Sequence, residues 1–131
     1  AESKLRNLAM DFSVNIIKAC DTVKGHRSLV NQLERSATSI GANIHEANYA
    51  QSRSDFVAKL QISLKECYET EYWLELFVKS VYRDGVGEGI VCSMRHHKKA
   101  PHLLHQHRQA KCAVKRAVLP PKLNNPETSH S

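Results

Sequence analysis

From Leu5 to Val78, apolar side chains return every three or four positions. That interval matches the 3.6-residue turn of an α-helix and gathers the apolar groups on one face; a half-buried strand would alternate every second residue. The first stripe runs Leu5, Leu8, Phe12, Ile16 and Ala19 or Cys20. It breaks at Asp21-Thr22-Val23-Lys24-Gly25, where Gly25 can adopt the left-handed conformation that ends helices. The second stripe, Val30, Leu33, Ala37, Ile40, Ile44 and Ala47, alternates steps of three and four as a heptad seam does, with Ser28 as its expected N-cap. The third is the longest. Val57, Leu60, Leu64, Cys67, Glu71, Leu74 and Val78 form a seam, and Phe56, Ser63, Thr70 and Phe77 form an adjacent stripe, extended by Trp73 and Leu76. Ser54 is its expected N-cap. An arc this wide can pack into its own bundle on one side and a second subunit on the other. The spacing therefore predicts helices over about residues 3–20, 28–50 and 55–82, joined by short links that favour up-down-up packing.

Residues 36–42, Ser-Ala-Thr-Ser-Ile-Gly-Ala, are small. Gly41 costs about 1 kcal/mol of helix propensity against alanine, so a close helix–helix contact is the natural compensation. Three stripes leave one face of a bundle open, and the chain left to close it is 83–131. It begins with three glycines in the turn Gly85-Val86-Gly87-Glu88-Gly89. Ile90, Val91 and Met94 could start a helix, which Pro101 should end or kink. Residues 102–119 can be helical on a thin stripe of Leu103, Leu104, Ala110, Ala113, Val114 and Ala117, and Pro120-Pro121 stops any helix. The organisation expected is a three-helix core over 1–86, an atypical basic fourth-helix region over 87–118, and a disordered tail over 119–131. The fold class is all-α, an antiparallel up-and-down four-helix bundle whose fourth helix is atypical or poorly formed.

Charge follows the same division. Residues 1–82 carry ten Lys/Arg and ten Asp/Glu, so the net +6 lies wholly in 83–131, together with six of the eight histidines. Clustered cations neutralise phosphates and release counterions, a salt-dependent and sequence-tolerant mode of binding. The candidate nucleic-acid-binding set is Arg95, Lys98, Lys99, Arg108, Lys111, Lys115 and Arg116. No aromatic residue interleaves them in the sequence, which argues against base stacking; a solvated segment with no selected role is the competing reading. His96, His97, His102, His105 and His107 raise the question of a metal, but Pro101 divides them and no acid lies nearby to orient a ligating imidazole. A surface histidine cluster titrating near pH 6.5 is the preferred reading, with no metal and no cofactor.

In the neutral part, Arg35, Glu46, Glu66, Glu69, Glu71 and Trp73 are read as an interface or structural network, not as catalytic groups. Glu71, placed in a seam, calls for a partner, and Arg35 is the candidate. Trp73, Tyr72, Phe77 and Tyr49 are either bundle core or a partner-binding surface. His45, beside Glu46, is read as a solvent or interface residue. None of the four cysteines forms a CxxC pair; Cys20 and Cys67 fall on apolar stripes and are read as small buried hydrophobes. No apolar run approaches the roughly 18 residues that span a bilayer. The beginning of the chain lacks the order of a secretory signal, so a cytoplasmic location and no membrane partner are expected.

Blocks spread over residues 35–74 carry a resemblance: Arg35-Ser36-Ala37-Thr38-Ser39-Ile40, Ala42-Asn43-Ile44, Glu46, Ser54-Asp55-Phe56, Lys59-Leu60, Lys65-Glu66, Glu69-Thr70 and Tyr72-Trp73-Leu74. They resemble the bacterial four helix bundle proteins, also called the 23S ribosomal RNA intervening-sequence protein family, and the likeness extends over about residues 4–82. The resemblance implies an antiparallel four-helix bundle assembled as a homo-oligomeric ring, typically a pentamer, with no enzymatic activity. The family also includes the accessory protein of diversity-generating retroelements, which implies RNA or DNA and a nucleic-acid-handling protein as partners. The family pattern has a leucine-rich, charged fourth helix after the Asp84-Gly85 turn, from which residues 87–131 depart. The function expected is that of a non-enzymatic oligomeric bundle that binds nucleic acid or such a protein, the alternative being a protein-interaction scaffold with no nucleic-acid contact.

Overall fold

The computed structural model describes residues 2–82 and 99–119. They form four helices: α1 (Glu2–Asp21), α2 (Arg27–Ala47), α3 (Arg53–Tyr82) and α4 (Lys99–Val118). Consecutive helices are antiparallel. α1 packs against α2 and α4, and α3 closes the square against the same two helices. The Arg95 and Lys98 candidates, His96 and His97, and the tail beyond residue 119 lie outside the described residues.

The helix ends differ from the expected ones by a few residues, for local reasons. Gly25 takes φ +88°, and His26 follows at φ 49° as the N-cap of α2, which starts one residue before Ser28. At α3 the cap is Ser52 and not Ser54: its Oγ accepts the Asp55 amide at 3.1 Å. That hydrogen bond brings the start of α3 forward to Arg53. α2 stops at Ala47, before residues 48–50.

Phe12, Ile16, Leu33, Ile40, Ile44, Leu60, Leu74 and Phe77 fill the core, each at most 2% exposed. Burial of side chains of this size contributes about 1.5–3 kcal/mol apiece. On α3 the buried row is Leu60, Ser63, Cys67, Thr70, Leu74 and Phe77. This corrects the expected seam: the row merges the two stripes, takes in two hydroxyls, and leaves Glu71 outside. Ser63 enters the core because its hydroxyl donates to the Ile40 carbonyl of α2 at 2.9 Å, which satisfies its polarity in the dry interior. Small residues also set the α1–α2 contact. Gly41 faces Ala9 and Ser13, and the Ser13 hydroxyl donates to the Ala9 carbonyl at 2.9 Å and approaches that of Ala37 at 3.4 Å.

α4 is a regular helix, atypical in composition but not broken. Pro101 stands in its first turn, where its missing N–H removes no helical hydrogen bond. Its buried row is Ala100, Leu103, His107, Ala110 and Val114, a full heptad pattern with a histidine at its centre. The Nε2 of His107 lies 2.8 Å from the Cys67 carbonyl and donates to it, and its ring packs 5.7 Å from that of Phe12. This corrects the reading of His107 as part of a surface cluster: it is 2% exposed and ties α4 to both α3 and α1.

Candidate nucleic-acid interface

α4 carries Lys99, Arg108, Lys111, Lys115 and Arg116 and no acidic residue. With Leu103, His107, Ala110 and Val114 turned inward, the polar residues between them are turned outward. Arg108 and Arg116 are exposed along the side that faces α1, whereas Lys111 and Lys115 lie towards α3. Lys99 is the first residue of the helix.

The two lysines on the α3 side meet an aromatic ring. Tyr68, half-exposed at 50%, has the Nζ of Lys111 5.5 Å and that of Lys115 5.4 Å from its ring centroid. Distances of this kind allow cation–π attraction. One turn further along α3 stands Tyr72, 63% exposed, its edge against Trp73 with ring centroids 5.1 Å apart. Neighbouring helices thus interleave aromatic and basic side chains that are some 40 positions apart in the sequence. The basic segment contains no aromatic residue of its own, so this arrangement is not visible within it. The signal was present in the exposed i, i+4 pair Tyr68 and Tyr72 on a helix due to adjoin α4.

The ion pairs also differ from the expected one. Glu71 pairs with Lys111 of α4, and Arg35 pairs with Glu69, so the expected Arg35–Glu71 contact is not formed. Its premise was the wrong seam: Glu71 sits at the exposed flank of α3 beside α4, while Glu69 faces α2. The Lys111 hydrogen bond holds the Glu71 carboxyl below the usual carboxylate range. Trp73 joins the Arg35 pair, its Nε1 donating to Glu69 Oε1 at 3.3 Å. Glu46 pairs with Lys59 at 2.7 Å, and that hydrogen bond lowers the carboxyl and raises the ammonium. Glu66 Oε2 and the Thr70 hydroxyl are buried without a hydrogen-bond partner among the described residues.

The remaining candidates separate by depth. Phe77 is core, Trp73 half-buried, and Tyr49 exposed with its ring against His45 at 5.3 Å. His102 and His105 are exposed, and no cluster of three metal-ligating side chains exists among the described residues. Cys20 and Cys67 are buried, and burial pushes both thiols up to about 12, so they stay protonated at neutral pH. No described helix is long and apolar enough to cross a membrane.

The class these features define is an antiparallel four-helix bundle with one helix charged positively throughout. Residues 1–85 match the family of 23S rRNA-intervening sequence proteins, and the chain belongs to that family. The fold is similar to the crystal structure of a protein of unknown function from the S23 ribosomal protein family of Bacteroides thetaiotaomicron, with 30% identity and a TM-score of 0.70. The likeness covers 88% of this chain and 99% of that one, so it reaches well past residue 85. No curated protein matches the chain.

Proposed function

We propose that this protein is a non-enzymatic cytoplasmic bundle that binds single-stranded RNA or DNA across α3 and α4. The observation that carries the reading is Tyr68 with the ammonium groups of Lys111 and Lys115 at its ring. A half-exposed ring offers a stacking surface worth about 1–3 kcal/mol per base, and adjoining cations neutralise the phosphates on either side. Arg108 and Arg116, exposed on the α1 side of the same helix, extend the positive surface. Lys111 is partly neutralised by Glu71, so Lys115, Arg108 and Arg116 supply most of the attraction. Exposed Ile62, Tyr72 and Leu76 on α3, and Met10, Val14 and Ile17 on α1, suit the homo-oligomeric assembly that family membership suggests.

Fluorescence anisotropy with labelled single-stranded RNA, repeated from about 50 to 200 mM salt, tests the reading. Affinity should fall steeply with salt. Tyr68→Ala should weaken binding by roughly tenfold, and Lys115→Ala should lower the slope of log K against log salt by about 0.7. Absence of binding at low salt would leave the protein-interaction scaffold as the better account.

A further inference from the structure

Beside α4, on the side away from Tyr68, lies an open groove of about 880 Å³. Leu5 and Leu8 of α1, Phe56 of α3, and Ala113 and Ala117 of α4 form its half-buried apolar floor. The groove exists because α4 presents alanines where it meets α1: two methyl groups cannot fill the space that larger side chains would take. Lys4, Arg108 and Arg116 are exposed at its edges, and none of the lining residues is acidic. Arg53 adds a fourth cation at the Phe56 end, its guanidinium carbon 5.7 Å from the ring centroid.

We infer that this groove receives an amphipathic helix with acidic flanks, supplied by a partner protein. An apolar floor between cationic edges is complementary to a helix with an apolar stripe and carboxylates beside it. The distribution of charge selects a helix over a single-headed amphiphile. Arg108 and Arg116 are two turns apart on α4, about 12 Å along its axis. One carboxylate head could engage only one of them, whereas acids two turns apart on a helix lying along the groove reach both. This surface shares Arg108 and Arg116 with the proposed nucleic-acid face but not Tyr68, Lys111 or Lys115, so Tyr68→Ala, which should weaken RNA binding, should leave peptide binding unchanged.

The test uses the full chain and a fluorescent synthetic peptide of about 18 residues, helical, with leucines at heptad spacing and glutamates on both flanks. A second peptide carries lysines in place of the glutamates, and dodecanoate serves as the single-headed competitor. The expected result is saturable binding of the acidic peptide, at least tenfold tighter than the basic one. Arg116→Glu, at an exposed position that leaves the core untouched, should weaken it by tenfold or more. Leu8→Asp should abolish it, with circular dichroism showing that the helices remain. Equal binding of both peptides, or indifference to Arg116→Glu, would overturn the inference. So would displacement of the peptide by equimolar dodecanoate, which would make the groove a small-amphiphile site. Binding that emerges only when residues 120–131 are removed would overturn it as well, by giving the groove to the chain's own end.

Discussion

At the scale of single residues, His107 is the most consequential side chain of α4. It sits at the centre of a dry seam, donating from Nε2 to the Cys67 carbonyl. Protonation would place a second N–H, at Nδ1, in an interior that is 2% exposed. Burial lowers its pKa first of all; Lys111 and Arg108 push the same way, while the Cys67 hydrogen bond and Glu71 oppose. The folded value therefore lies below the unfolded one of about 6.5, and the unfolded chain takes up the proton first as pH falls. Stability should be full above about pH 6.5 and decline below it. Melting temperatures at pH 7.5 and 5.5 check this: His107→Leu should narrow the gap between the two. Gly41 makes a different prediction. A Cβ there would meet Ala9 Cβ at 3.6 Å and Ser13 Oγ at 3.8 Å, ordinary contact distances. The approach of α1 and α2 is close but does not require glycine, so Gly41→Ala should raise unfolding free energy by up to about 1 kcal/mol in urea titrations.

At the scale of the element, the question is what holds α4 in place. Its polar contacts with α3 include the buried His107 hydrogen bond to Cys67 and the Glu71–Lys111 pair, in which the glutamate side chain is 48% exposed. Such a pair is screened by solvent and contributes under about 1 kcal/mol. Its apolar contact is the row Leu103, His107, Ala110 and Val114. Leu103→Ala should cost about 2–4 kcal/mol, whereas Lys111→Ala should cost well under 1. Chemical denaturation of the two variants compares them directly, and a larger effect at Lys111 would make charge the docking force. The same helix underfills its seam with α1. Replacing Ala113 and Ala117 together by leucine should raise the melting temperature, because the groove has room for both side chains, and should exclude the acidic peptide.

At the scale of the whole molecule, three nearly neutral helices carry one that is strongly positive, so the surface is electrostatically polar with its positive side at α4. Phe12 and Cys67 rest against His107, so removing α4 would uncover part of the core of the other three helices. A chain ending at residue 82 should lose its cooperative melt and bind a hydrophobic dye such as ANS, which calorimetry and fluorescence would detect. Four helices, the positions of the first three and the family were legible in the sequence, because stripes such as Leu33, Ala37, Ile40 and Ile44 are local patterns that a single helix obeys by itself. The depth of His107, the partners of Arg35 and Glu71, and the meeting of Tyr68 with Lys111 and Lys115 were not. Each depends on how one helix is rotated against another. That rotation was settled by which row could be dried at least cost: on α3 the stripe that holds Ser63 and Thr70 supplied half of the buried row and displaced Glu71, and on α4 the row took in His107, whose polarity marks it as a surface residue in the sequence.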